Sequence, residues 1–428
     1  MTCCCHVNCT PCVLDMQHTK HLTRSTPHDC FVGLLPWSLL LVLSIVLYAW
    51  NRKRPGQRIR GKQLTSTQNV QPITSVEKNP SGEEHSEAAY YSIEPLSDFD
   101  LETTEPLQLR PFKPKYHMTM ALENTTLSDL VTMDNTYLER LDIRRQIIQD
   151  QRSEVIAYEP QAVPAVMELY TWAIGTYLPR RFPSIYSIVH HIASEEPAST
   201  YLKNHATNTL IPLQVTSPEL ALQILGENID TEFLLLQKQD NPTTPQTLEP
   251  YRLTAFINCF PAGFSTLSKL GLSLAAIHAP VPHYAEKLEK SMDRYFSAFP
   301  VGKIVKRVNW SISTTGDLFC LAGAHMSESE LETPRERERQ EESVQLDKTV
   351  VRCERQTLHR LPRTGALVFG FKTYVYPIQQ IRNEGNGHIL AEAIDGLGRG
   401  TVPKITVYKR QVVWGEKVKA FLRREIDA

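Results

Sequence analysis

Residues 31–50, FVGLLPWSLLLVLSIVLYAW, form an uncharged run of twenty, long enough as a helix to span roughly 30 Å, the thickness of a bilayer core. No other feature restricts the chain as much, because such a segment is stable only in lipid or deep inside a core. The alternatives are a cleaved signal or a buried core helix. Against them, the run lacks a small-residue cleavage pattern and closes on Tyr48 and Trp50, which favour the membrane interface. Six Lys and Arg between Arg52 and Lys62, with no Asp or Glu among them, put the following chain in the cytosol by the positive-inside rule. The expectation is a single-pass protein of the endoplasmic reticulum membrane, with residues 1–30 lumenal and the carboxy-terminal body cytosolic.

Cysteine placement divides the chain at the same point. Cys3, Cys4, Cys5, Cys9, Cys12 and Cys30 precede the apolar run and only Cys259, Cys320 and Cys353 follow it, so no disulfide framework holds the body, which reads as living in a reducing compartment. Cys5, His6, Cys9 and Cys12 match no defined four-ligand metal spacing, and a disordered or lipidated tail is the better reading. Asn8-Cys9-Thr10 is a glycosylation sequon on the expected lumenal side; Asn124-Thr125-Thr126 and Asn309-Trp310-Ser311 lie on the other. The 46 Lys and Arg against 47 Asp and Glu leave no basic footprint for nucleic acid.

After the basic flank, residues 63–108 are rich in Ser, Thr, Gln, Pro and Glu, turn acidic from Glu83 to Glu105, and lack apolar periodicity, which is expected of a disordered tether. Order is expected from Leu109. Helical spacing predicts helices over 136–148, 164–177 and 284–299, the last carrying Leu288, Met292, Tyr295, Phe296 and Phe299 as core. Strands are predicted over 229–236, over 305–313 with Lys306, Val308, Trp310 and Ile312 on one face, and over 365–376. The polar stretch 327–348 reads as a mobile insertion. Length and pattern together give a large α+β body with appendages.

The chain has no phosphate-binding loop, no H-E-x-x-H, no G-x-S-x-G and no dinucleotide fingerprint. Gly396-Leu397-Gly398-Arg399-Gly400 is only a glycine-rich turn. Cys259, in Phe256-Ile257-Asn258-Cys259-Phe260-Pro261-Ala262-Gly263, has the wrong glycine spacing for a thiolate haem loop and reads as a buried structural cysteine. Two stretches remain. In Ile277-His278-Ala279-Pro280-Val281-Pro282-His283-Tyr284, prolines hold the backbone extended between two imidazoles, each of them a structural histidine or a ligand. In Val351-Arg352-Cys353-Glu354-Arg355-Gln356-Thr357-Leu358-His359-Arg360-Leu361-Pro362, a carboxylate lies among three arginines, forming either surface ion pairs or a site.

Taken together, Tyr116-His117-Met118-Thr119-Met120, Leu178-Pro179-Arg180-Arg181-Phe182-Pro183, Cys259-Phe260-Pro261, the His278 stretch, Arg307-Val308-Asn309-Trp310 and the Arg352-to-Pro362 run resemble, in order, the haem-dependent oxidative N-demethylase family. The resemblance covers about 109–390. It implies a PAS-like antiparallel sheet with helices around a b-type haem, here in a membrane-anchored, fungal-type member. It also implies oxidation of a small secondary amine such as dimethylamine with dioxygen, an oxidoreductase or monooxygenase reaction.

In that picture His278 is the axial iron ligand, with His283, His117 and His359 as competitors. Arg352, Arg355 and Arg360 suit the haem propionates. Glu354 balances a substrate ammonium or those arginines, and Asn309, Trp310 and Tyr374 are candidate contributors beside bound oxygen. With no flavin, nicotinamide or iron–sulfur fingerprint in the chain, electrons come from a separate reductase, expected to carry NADPH electrons through a flavin. The anchor, the tether, the 327–348 insertion and Ile229-Asp230-Thr231-Glu232-Phe233 depart from the simplest family pattern, and point to a larger apolar amine or a secondary metabolite as substrate. Two other classes stay open: a haem-based sensor that consumes no amine, and a haem-free anchored scaffold.

Overall fold

The β-branched and aromatic runs late in the chain pair into a meander at the centre of the computed structural model. Beyond a two-residue antiparallel pair, Glu77–Lys78 with Glu84–His85, the strands in chain order are β1 (Glu123–Thr125), β2 (Ile156–Tyr158), β3 (Tyr186–His191), β4 (Ser199–Asn204), β5 (Thr209–Pro212), β6 (Glu232–Lys238), β7 (Tyr251–Ile257), β8 (Ile304–Ser313), β9 (Val350–Arg360) and β10 (Leu367–Pro377). Seven of them make one sheet in the order β1-β8-β9-β10-β6-β7-β2, and every neighbouring pair is antiparallel. Strands β3 to β5 form a separate antiparallel ladder. The β9–β10 pairing runs from Val350↔Pro377 to Arg360↔Leu367, and its turn uses Gly365 at φ +68°, a conformation that costs glycine little. β9 and β10 are buried along most of their length, as strands covered on both faces are.

Among the described residues the α-helices longer than four residues are α1 (Tyr137–Val155), α2 (Val163–Trp172), α3 (Pro218–Asn228), α4 (Leu274–His278), α5 (Lys290–Ser297), α6 (Ile378–Asn383), α7 (Gly387–Gly398) and α8 (Gln411–Leu422). α3 shows how the sequence starts one. Ser217 Oγ accepts the Leu220 N–H at 3.3 Å, with Pro218 and Glu219 in the first turn, so an orphan donor is satisfied where proline costs nothing. One face of the sheet is covered twice. Helices α1 to α3 bury Phe233, Leu235 and Val368, and α6 to α8 bury Ile312, Val351, Cys353, Tyr374 and Tyr376. The opposite face is left to the site described below.

α1 carries two arginines into the core. Arg144 is 0% and Arg140 8% exposed, and neither is left alone. Arg140 pairs with Asp230 at 2.5 Å, Arg144 with Glu232, and Lys372 with Asp134 at 2.6 Å and Asp230 at 3.3 Å. Three cations thus meet three carboxylates, the condition under which buried charge is tolerated. Asp230 and Glu232 both come from the 229–233 stretch.

The structure describes residues 77–78, 84–85, 91–191, 199–238, 250–331 and 340–428, all in the unit Gln71–Ala428. The expected membrane segment at 31–50, its basic flank and the Cys-rich tail lie outside the described residues, among which no helix is long and apolar enough to cross a membrane.

Two sequence boundaries move. Residues 91–108, assigned to the tether, pack on the folded unit: Leu96 N–H donates to Arg181 O at 2.8 Å, and Phe99 meets Phe182 edge-on at 5.3 Å. Isolated apolar anchors do this work, which is why no periodicity announced it. The insertion at 327–348 is likewise no uniform loop, since Val344 and Leu346 are buried in the carboxy-terminal core; residues 332–339 lie outside the described set.

Candidate active site

On the face away from α6 to α8, the sheet floors a cavity of about 350 Å³, within the ~300–1,000 Å³ of small-molecule sites. Alternation decides which side chains reach it. Val305, Arg307, Asn309 and Ser311 of β8, Glu354, Gln356 and Leu358 of β9, Phe369 and Phe371 of β10 and Leu234 and Leu236 of β6 all line it. The face of β8 singled out in the sequence, Val308 to Ile312, packs on the carboxy-terminal helices instead. α4 and α5 roof the cavity, and Leu288, Met292 and Phe296, expected as plain core, are part of that roof.

A strap, residues 116–122, closes one side. It packs close because glycines at the end of α7 and just beyond it let it, the stretch expected as a glycine-rich turn beginning inside the helix: a Cβ on Gly396 would come within 2.5 Å of Pro114 O, and one on Gly400 would overlap Tyr116 O. Tyr116 N–H donates to Gly396 O, and Thr401 N–H to Tyr116 O, both at 3.1 Å.

α4 places His278. Ser273 caps the helix, its Oγ accepting the Ala276 N–H at 3.2 Å, and Pro280 and Pro282 prevent its continuation. The His278 ring ends in the cavity wall, stacked on Tyr284 at 4.7 Å and 13°. Its Nδ1 lies 2.8 Å from Leu274 O. A carbonyl only accepts, so Nδ1 carries the proton and Nε2 keeps its lone pair. Burial, with Lys269 and Arg307 nearby, lowers its pKa and keeps the ring neutral, although the bond to Leu274 opposes this. Nε2 has no hydrogen bond to any described residue. Where an imidazole does bind a metal, a bond of this kind from its other nitrogen to a backbone carbonyl orients it.

The competing histidines stand elsewhere. His117 and His283 are exposed, His283 against Glu286 at 2.6 Å, and His359 is buried beside Trp172. Sequence reasoning missed His325, which lines the cavity against Tyr408 at 4.5 Å. Burial pushes its pKa down to about 4, helped by Lys409 and Lys269. It sits in Ala322-Gly323-Ala324-His325-Met326, a segment without periodicity to mark it.

Among the other expected residues, Asn309 and Glu354 face each other across β8 and β9 and both line the cavity. Glu354 Oε2 accepts from Gln356 Nε2 at 2.8 Å. Tyr374 does not line the cavity; its hydroxyl bonds Thr132 Oγ1 at 2.8 Å. Trp310 meets Phe112 edge-on at 5.8 Å among the carboxy-terminal helices.

The three arginines expected at the propionates serve as clamps on the protein's own backbone, and none lines the cavity. Arg352 donates to Asp317 O, Leu318 O and Phe260 O. Arg355 pairs with Asp129 at 2.6 Å, and Arg360 donates to Phe299 O, Gly365 O, Phe296 O and Tyr251 Oη. The cations that do line it are Lys269, Arg307 and Lys409, two of them in loops that no pattern distinguished. Cys259 is buried and its thiol is pushed up to about 12 by desolvation, which agrees with a structural role.

An apolar wall, one imidazole whose Nε2 bonds no described residue, and three lining cations that form an ion pair with no described carboxylate, including a buried Arg307 Nε with no partner, fit a haem: macrocycle, iron and carboxylates each find a complement. Independently, the family model described as haem-dependent oxidative N-demethylase, alpha subunit-like, matches residues 121–419. That span holds every strand of the large sheet and, apart from the first residues of the strap, the walls of the cavity. The chain belongs to the haem-dependent oxidative N-demethylase, alpha subunit-like, family.

Proposed function

We propose that this chain is a haem-dependent oxidoreductase that oxidises an amine with dioxygen, His278 binding the iron. The observation that carries the reading is the Nδ1-to-Leu274 hydrogen bond, which leaves a neutral, fixed imidazole with Nε2 free at the cavity. Leu234, Leu236, Leu253, Val305, Leu358 and Phe369 supply the apolar wall for the macrocycle. Haem, when bound, supplies dioxygen activation.

The chain's own part is positioning. Glu354 is the one carboxylate among the described lining residues, so a substrate ammonium finds its counter-charge there and a base for its N–H proton. Gln356 holds that carboxylate and Asn309 faces it. The strap and the Tyr284–His278 stack exclude water from the same space. The predominantly apolar lining favours an amine with an apolar substituent over dimethylamine. Electrons come from a separate reductase, and residues 31–50 with their basic flank tether the domain to the cytosolic face of the endoplasmic reticulum. The antiparallel sheet with a cavity on one face and helices around it supports the PAS-like reading.

The test is the absorption spectrum of the full chain expressed with haem supply, oxidised, reduced and with carbon monoxide, beside His278→Ala. An intense Soret band shifted or lost in the variant is expected, with consumption of an apolar secondary amine when a reductase is added. A folded colourless protein that takes up no haem would sink the reading. Haem without amine consumption would make the chain a sensor.

A further inference from the structure

We propose that Lys269, Arg307 and Lys409 form the clamp for the two haem propionates, which fixes the cofactor with its carboxylate edge toward the strap and the 405–409 turn. The inference rests on the haem reading above and assigns its charged contacts. Its basis is a contrast within one molecule. The buried cations behind the sheet, Arg140, Arg144 and Lys372, each meet a carboxylate at 3.3 Å or less. The three cations on the cavity meet none among the described residues. Lys269 Nζ lies over the Phe264 ring at 3.5 Å. Arg307 gives Nη1 to Met120 O at 3.1 Å, and its Nε has no partner. Lys409 donates to Trp310 O at 2.5 Å.

The three line one cavity, and their fields overlap at its two histidines. Lys269 and Arg307 both disfavour charge on His278, Lys269 and Lys409 both disfavour it on His325, and Arg307 acts on Lys409. A fold does not gather partly buried like charges without an opposite charge to offset them. Glu354 offsets one. Two positive charges remain, the number that two propionates neutralise, and guanidinium and ammonium donors bind carboxylates with charge-assisted hydrogen bonds.

The experiment compares three porphyrins titrated into the full-length haem-free protein: haemin, haemin dimethyl ester, which lacks both carboxylate charges, and iron-free protoporphyrin IX. Soret absorbance or fluorescence quenching reads the dissociation constants. Wild type should prefer haemin over the ester by at least tenfold, the scale of one charged hydrogen bond. The variants Lys269→Met and Arg307→Met should each reduce that preference about tenfold and weaken protoporphyrin equally, while His278→Ala should weaken haemin and spare protoporphyrin. The same two variants should melt no lower than wild type when haem-free, since each removes an uncompensated cation, and this separates lost ligand contacts from lost folding. Equal binding of haemin and its ester by wild type, or variants that keep the wild-type preference, would overturn the clamp and leave haem binding intact. Wild type that binds none of the three would overturn the haem reading itself.

Discussion

Glu232→Gln tests whether the ion cluster behind the sheet is balanced as described. Glu232 is 1% and Arg144 0% exposed at the side chain. One carboxylate oxygen faces Arg144 Nη1, and the other accepts the Cys259 N–H at 2.7 Å. Glutamine keeps the size but places an NH2 group, a donor, against one of these donors, and it leaves three cations facing two carboxylates. Removing one partner of a buried pair costs about 3–5 kcal/mol, a large share of the ~5–15 kcal/mol that holds a domain together. At ~2–4 °C per kcal/mol the melting temperature should fall by about 6–20 °C. Urea and thermal unfolding of the haem-free protein measure it. The pair Glu232→Leu with Arg144→Met separates charge from packing: it should recover most of the loss, because an apolar pair leaves no charge stranded. A single variant within ~1 kcal/mol of wild type would refute the argument. A double variant no better than the single would move the cause to the lost Cys259 contact.

Two further outcomes follow from the site. His325, with its pKa lowered to about 4, and His359, lowered to about 3, are held neutral by burial, below an unfolded value near 6.5. The unfolded chain therefore binds protons that the folded chain refuses, so stability is full above pH ~6.5 and declines as pH falls toward 4, by up to ~1.4 kcal/mol per unit for each group. His325→Gln should flatten that slope in urea titrations between pH 4 and 7, and an unchanged slope would show that His325 is not the source. Gly400→Ala builds a methyl into Tyr116 O and should cost about 1–3 kcal/mol. Its effect on haem affinity should be larger than its effect on the haem-free melt, because the displaced strap is a cavity wall; equal effects would count against the strap as part of the site.

The sheet was legible because its strands carry their own signal. The runs expected at 305–313 and 365–376 became β8 and β10 with shifts of a residue or two, since β-branched and aromatic residues state a strand without reference to anything distant. His278, which the structure places on the cavity wall at the end of α4, stood out for a related reason, as two prolines follow it and keep that helix short. The rest of the site was not. Leu288, Met292 and Phe296 read as core because a cavity wall and a core have the same apolar period, and only the element opposite tells them apart. On β8 both faces are mixed, so sequence alone gave no reason to prefer Arg307 and Asn309 over Lys306 and Trp310. What separates them is that α6 to α8, contributed by residues 378–422, cover the even face and leave the odd one open.

The same distance effect places the three arginines expected at the propionates off the cavity. Arg352, Arg355 and Arg360 form the densest basic cluster in the family-like motifs, yet backbone carbonyls, the Tyr251 hydroxyl and Asp129, most of them supplied from far away in sequence, take up most of their donors, Arg352 Nε excepted. A guanidinium that already holds such partners has little left for a ligand. Lys269, Arg307 and Lys409 come from three separate stretches and form no motif; they are found only by asking which cations the fold leaves without an opposite charge. The clamp proposed above rests on unpaired charge rather than on local density of charge, a property that can be read only after the chain has closed on itself.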